Sequence, residues 1–210
     1  MNYELIKVCG MRDADNIRAV EALGIDWLGL IFAPKSSRYV AERPAYLPTR
    51  CKRVGVFVNA SLEEVTEHIA AFGLDLVQLH GSESPAYIAD LRQATSVSVI
   101  KVFSIATADD LVQTQAYEGL VDYFLFDTKG QLAGGNGTQF DWSVLSEYRG
   151  NTPFLLSGGI GPDDAARVSA FDHPKCIGID LNSRFETAPA LKDITLLKSF
   201  LEQINKKEHE

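Results

Sequence analysis

Two residues at the ends of apolar runs have side chains suited to proton transfer. Asp127 follows Tyr123-Phe124-Leu125-Phe126, and Cys9 follows Leu5-Ile6-Lys7-Val8. A carboxyl group at the mouth of a buried strand can have its proton affinity tuned by its surroundings, which suits it to acid work. A thiol in that position is either a small buried hydrophobe or an acid/base or nucleophilic group. Lys7, two residues before Cys9, points to the same side of a strand and could favour the thiolate. His80 ends another apolar run and reads as a ligand, an acid/base group or a hydrogen-bonded histidine. Gly158 and Gly159 follow Phe154-Leu155-Leu156-Ser157 and would let a backbone approach an oxyanion closely. The polar run Asp180-Leu181-Asn182-Ser183-Arg184 could add N–H donors at the start of a short extra helix. In Ala33-Pro34-Lys35-Ser36-Ser37-Arg38 the cations read as solvated charge, or Arg38 forks a substrate carboxylate beside a phosphate. The stretch with Gly130, Gly134, Gly135 and Gly137 is long for a simple connection, and loops of that length are often functional.

The elements that must hold these residues alternate along the chain. Strands are predicted at Leu5–Cys9, Trp27–Phe32, Val54–Val58, Leu74–Leu79, Val97–Phe103, Tyr123–Phe126, Phe154–Ser157 and Cys176–Asp180. Asp127 is expected to end the sixth. Helices are predicted from the Asp13 cap to Leu23, from a Ser61/Glu64 capping box to Phe72, and from Ser84-Pro85 to Ala94. Further helices follow a Thr107 cap, start near Asp141, run from Pro162 to Ala170, and close the chain over Pro189–Ile204. Pro34, Pro44 and Pro48 leave room for a long loop and at most a short helix between strands 2 and 3.

Continuous apolar strands imply a parallel sheet covered on both faces. Eight βα units in one domain point to a single-domain (β/α)8 TIM barrel over residues 1–205, with a polar tail at 206–210. Such a barrel carries its site at the C-terminal ends of its strands, which is where Cys9, His80, Asp127, Gly158 and Asp180 fall. Phosphate binding after strands 7 and 8 recurs in that fold.

Composition narrows the partners. A net charge of −8 argues against non-specific nucleic-acid binding and against an anionic membrane surface, but a local site can still take an anionic small molecule. No apolar run is long enough to span a bilayer, and MNYELIKVCG lacks the apolar core of a signal peptide. Cys9, Cys51 and Cys176 are widely spaced without metal-ligand spacing, which fits a cytoplasmic chain with reduced thiols. Cys51 and Cys176 sit at strand beginnings and read as structural. His68, His173 and His209 read as surface.

Lys7-Val8-Cys9-Gly10-Met11, Phe32 to Val40, Val54 to Asn59, Gln78-Leu79-His80-Gly81, Phe126-Asp127-Thr128 with Gly134-Gly135-Asn136-Gly137, and Leu156-Ser157-Gly158-Gly159-Ile160 occur in that order. Together they resemble the phosphoribosylanthranilate isomerase family of tryptophan biosynthesis, from about Lys7 to Glu186. The resemblance implies an Amadori rearrangement of N-(5′-phosphoribosyl)anthranilate without metal or cofactor. It assigns Asp127 as general acid, Cys9 as general base and Arg38 as the holder of the anthranilate carboxylate. It matches Gly159 and the loop Asn182-Ser183-Arg184 to phosphate-binding positions; Lys7, His80, Gly135 and Gly158 stand beside them as further candidate substrate-binding residues. It implies a small phosphorylated substrate and a monomer or homodimer. Arg184 stands where the family more often has Gly, and the segment 41–51 is shorter and richer in proline than usual. Three other readings compete. A metal-dependent pentose-phosphate epimerase would want two histidines and two carboxylates at strand ends. A synthase for the next intermediate would want catalytic Lys and Glu residues. A silent phosphate-binding barrel would need neither Cys9 nor Asp127.

Overall fold

Side chains on successive strand residues face opposite ways, so a strand packed on both faces can be apolar throughout. Eight such strands form here: β1 (Leu5–Val8), β2 (Trp27–Ile31), β3 (Lys52–Phe57), β4 (Leu76–Leu79), β5 (Ser98–Ile105), β6 (Tyr123–Thr128), β7 (Phe154–Ser157) and β8 (Cys176–Leu181). In this computed structural model, which describes residues 5–128 and 142–205, they close in chain order into one parallel barrel. Closure is made by β1 against β8, with Lys7 opposite Asp180 and Val8 opposite Leu181. One set of side chains, including Leu5, Trp27, Val54, Leu76, Ile100 and Leu125, fills the barrel interior. The opposite set, including Val8, Leu28, Phe57, Val77, Phe124 and Ile179, packs outward in a larger core beneath the helices.

The connecting helices begin where short polar side chains cap them. Asp13 accepts from the Asn16 N–H to open α1 (Ala14–Glu21), which stops two residues short of the expected Leu23. Ser61 accepts from the Glu64 N–H to open α2 (Leu62–Phe72), and Ser84 caps α3 (Pro85–Ala94). Ala108–Tyr117 is a 3-10 segment and not an α-helix. Its start is held by Asp110, whose carboxylate takes the Ala106 and Thr107 N–H groups; Thr114 Oγ1 occupies the Leu111 carbonyl and competes with an α ladder. A second 3-10 segment covers Trp142–Glu147, and a 3-10 turn at Pro162–Asp164 leads into α4 (Ala165–Ala170).

Between β2 and β3 there is no helix, as the prolines require; Val40 instead donates to the Ile31 carbonyl. The expected closing helix from Pro189 is corrected. Residues 186–192 form a hairpin of β9 (Glu186–Ala188) and β10 (Leu191–Lys192), and α5 runs Ile194–Asn205. Ala190 makes the turn with φ of +67°, and Asp193 caps α5 through the Thr195 and Leu196 N–H groups. A second correction concerns Asp127. It does not end β6 but lies within it, paired with Ser104 on one side and Ser157 on the other. The glycines at 130, 134, 135 and 137, the helix start at Asp141 and the tail at 206–210 lie outside the described residues.

Candidate active site

A cavity of about 230 Å³ opens at the C-terminal end of the barrel. Cys9, His80, Asp127, Gly158, Gly159, Asn182, Ser183 and Arg184 all line it, as do Gln78, Ser157 and Asp180. Eight nominated residues from five strand ends therefore share one space. A larger cleft of about 850 Å³ lies at the opposite end, among the strand beginnings near Leu5, Trp27 and Lys52. It holds Cys51, read as structural, whose thiol burial pushes up to about 12. Cys176 is buried and likewise pushed up to about 12, in keeping with a structural role.

Lys7 and Cys9 point into the barrel together. Lys7 is fully buried, and its Nζ lies 2.8 Å from Asp180 Oδ1. Burial works against the ammonium, but Asp180 and Cys9 beside it hold its pKa above the ordinary lysine value. Asp180 Oδ2 in turn accepts from Ser157 Oγ at 3.3 Å. Burial is also the largest influence on Cys9 and pushes its thiol up; Lys7 and Lys192 oppose this, and Asp180 adds to it. The expectation that Lys7 favours the thiolate is thus right in sign and too small to decide the outcome. Gly29 on β2 makes room for the sulfur, because a Cβ there would come within 2.6 Å of Cys9 Sγ. A glycine inside a strand is the kind of signal that marks such an approach.

Asp127 and His80 face each other, with Oδ2 and Nε2 3.7 Å apart. The carboxyl is 31% exposed, so the strand mouth is less enclosed than the apolar run before it suggests. On its other side His80 Nδ1 is 3.5 Å from the amide nitrogen of Gln78, whose Oε1 is buried without a partner among the described residues. The loop behind His80 is stapled by a buried ion pair. Glu83 takes the Asn59 and Gly81 N–H groups and Lys101 Nζ at 3.1 Å, and Lys101 also donates to the Gly81 carbonyl at 2.7 Å.

Arg38 is not a solvated cation. Its Nε donates to Glu186 Oε1 at 2.8 Å and its Nη2 to Oε2 at 2.5 Å, and this carboxylate raises the guanidinium pKa further. Lys35 is exposed, as expected of solvated charge.

The loops after β7 and β8 come together. Gly158 and Gly159 have φ of +98° and +68°, conformations that favour glycine. Ser183–Phe185 forms the short turn expected after β8. Arg184 fits there without strain: among the described non-glycine residues only Asn59 and Ala190 have positive φ. The Arg184 stem reaches the loop after β7, where a Cβ on Gly161 would lie 3.5 Å from Arg184 Cβ.

Gln78, Glu186, Lys192 and Gly29 were not nominated by the sequence. Two histidines are corrected. His173 is buried against Tyr148 and Phe154, and burial lowers its pKa; His68 stacks on Phe72 and packs against Phe32. Among the described residues no cluster of His, Cys, Asp or Glu is arranged to hold a metal, and no helix is long and apolar enough to cross a membrane.

The family model for N-(5′-phosphoribosyl)anthranilate isomerase matches residues 6–203. N-(5′-phosphoribosyl)anthranilate isomerase of Phocaeicola vulgatus is 52% identical over 203 residues, covering 97% of this chain and 98% of the relative. The crystal structure of phosphoribosyl anthranilate isomerase from Thermotoga maritima superposes with a TM-score of 0.79 at 30% identity, covering 95% of this chain and 98% of the other. A structure of such an isomerase in complex with reduced 1-(o-carboxyphenylamino)-1-deoxyribulose 5-phosphate superposes with a TM-score of 0.77 at 28% identity, covering 95% and 97%.

Proposed function

The chain belongs to the N-(5′-phosphoribosyl)anthranilate isomerase family, and from that premise we propose that it rearranges N-(5′-phosphoribosyl)anthranilate with Asp127 as acid and Cys9 as base. The observation that carries this reading is the sharing of one cavity by Cys9, Asp127 and the Gly158-Gly159 loop.

Asp127 gives its proton to the furanose ring oxygen. The bond from that oxygen to C1′ breaks, and the anthranilate nitrogen supplies the electron pair that makes a C1′=N iminium. The iminium acidifies the neighbouring C–H, so a thiolate is a sufficient base. Cys9 removes the C2′ proton, and the electrons form the C1′=C2′ bond while the nitrogen becomes neutral. Loss of the enol O–H proton and gain of a proton at C1′ give the ketone. Two protons are given and two taken, so the enzyme returns to its starting state without a redox partner.

The substrate's two anionic ends fit the flanks. The loops at Gly158-Gly159 and at Asn182-Ser183-Arg184 are assigned to the phosphate, where backbone N–H groups and the Arg184 cation suit it. Arg38 is assigned to the carboxylate. His80 is assigned to the wall beside Asp127, and Lys7 to the floor beneath Cys9. This placement of cations and N–H donors supports binding of a substrate anionic at both ends by a chain of net charge −8.

The test is to generate the substrate in a cuvette, add the purified chain with a metal chelator, and follow substrate loss and product formation. Conversion that survives the chelator and falls by orders of magnitude in folded Asp127→Asn and Cys9→Ser supports the reading. Normal turnover in both variants removes the assigned acid and base.

A further inference from the structure

Lys192 lies on β10 with its side chain fully buried. Its Nζ donates to Glu186 Oε1 at 2.5 Å and to Asn182 Oδ1 at 2.9 Å. Its main chain is fixed as well: the N–H donates to Asn16 Oδ1 at 2.8 Å, and the carbonyl accepts from Asn16 Nδ2 at 2.9 Å. Glu186, 5% exposed, is shared between Lys192 and Arg38. Three charges are thus held largely out of water. Apolar side chains of the same volume often serve stability as well as a buried ion network does, so this network is better explained by the geometry it fixes.

That geometry joins Arg38, which is not among the residues lining the cavity, to Asn182, which is. Glu186 takes one edge of the Arg38 guanidinium, the edge made by Nε and Nη2. The edge made by Nη1 and the second Nη2 hydrogen has, among the described residues, only a 3.4 Å contact with Ser37 Oγ. A second carboxylate can be forked there. On the other side Lys192 ties down the carbonyl end of the Asn182 amide, which leaves the amide's donor end for an anion at the cavity wall. Arg38 and Asn182 meet over the residue after Cys9. A Cβ on Gly10 would lie 2.6 Å from Arg38 Cδ and 2.8 Å from Asn182 Oδ1.

We propose that Lys192, acting through Glu186 and Asn182, is a positioning residue that sets the carboxylate fork of Arg38 and the anion-facing amide of Asn182 in one fixed relation. The enzyme thereby selects a substrate with a carboxylate at one end and a phosphate at the other. This rests on the functional reading above. Lys192 touches neither end itself, so its loss acts on binding more than on the proton transfers.

The test is a double-mutant cycle on N-(5′-phosphoribosyl)anthranilate turnover with Lys192→Met and Arg38→Ala, singly and together. Lys192→Met is expected to raise KM by about tenfold or more with a smaller change in kcat, and to cost much less in the Arg38→Ala background. Glu186→Gln, which keeps the shape and weakens the grip on both cations, should reproduce the KM effect, and thermal melts confirm that each variant is folded. Folded Lys192→Met and Glu186→Gln with unchanged KM, or single costs that simply multiply, would overturn the proposal. A wild-type chain without turnover takes down both readings; turnover with multiplicative costs overturns only this one.

Discussion

Lys7 and Asp180, 173 positions apart in the chain, meet across the closure of the barrel, Nζ 2.8 Å from Oδ1. The pairing decides what Lys7 can do for its neighbour. Its charge is answered by Asp180 first, and the Cys9 thiol, left to the effect of burial, rises above its ordinary value.

A thiol with a raised pKa is mostly protonated near neutral pH, and its thiolate fraction grows as pH rises. The rate of Cys9 alkylation by iodoacetamide should therefore climb with pH into the alkaline range. Asp180→Asn removes a group that pushes the thiol up and releases Lys7 towards Cys9. Its alkylation profile should move to lower pH. An unmoved or upward-shifted profile would refute the assignment.

Gly29→Ala should displace Cys9 without touching the substrate's anionic ends, since the new Cβ would sit 2.6 Å from Sγ. A misplacement on the order of 1 Å at a reacting group can cost about 100-fold. The expected result is a fall of about tenfold or more in kcat with little change in KM. A raised KM at constant kcat would place the damage elsewhere.

Removing one partner of the Glu83–Lys101 pair leaves the other charged and buried, with side chains only 1% and 3% exposed. Lys101→Met should lower folding stability by about 3–5 kcal/mol, read from urea unfolding. Because the pair staples the loop behind His80, kcat should fall in the same variant. A loss below about 1 kcal/mol would mean the site is wetter than its burial implies.

Glu21 anchors the long loop before β3, accepting from Tyr46 Oη at 2.5 Å and from the Thr49 and Arg50 N–H groups. Burial would raise its carboxyl, but these bonds prevail and hold it below the ordinary 4.5. The folded-state value is the lower one, so the stabilisation is complete above the ordinary carboxyl range and is lost as pH falls through the lowered value. The stability gap between wild type and Glu21→Gln should be widest at neutral pH and shrink in acid. A gap that grows in acid would contradict the shift.

The strand ends were legible because each lies at the close of an apolar run: Val8 before Cys9, Leu79 before His80, Phe126 before Asp127. Barrel closure then brings those ends into one cavity. The Arg38–Glu186 fork was not legible, because its partners are 148 residues apart and long-range ion pairs leave no local pattern. The hairpin at Glu186–Lys192 was missed for another reason. Its strands are three and two residues long, too short for alternation to register, and Asp193 as the true cap of α5 was passed over in favour of Pro189. Thr107 is the N-cap expected, but the segment it opens is 3-10, and Asp110 reaches back to the Thr107 N–H.

The β1–β8 pairing has a consequence for the order of events during synthesis. Cys9, just after β1, is synthesised well before Asp180 on β8, the last strand of the barrel. Until β8 emerges, β1 has only β2 beside it, and Lys7 has no counter-ion from Asp180. Pairings this remote in sequence carry a large loop-closure penalty and form slowly. Cys9 and the loop after β8 thus meet only when the barrel closes, and a nascent chain stalled before Asp180 holds the Cys9 thiol on an unclosed sheet.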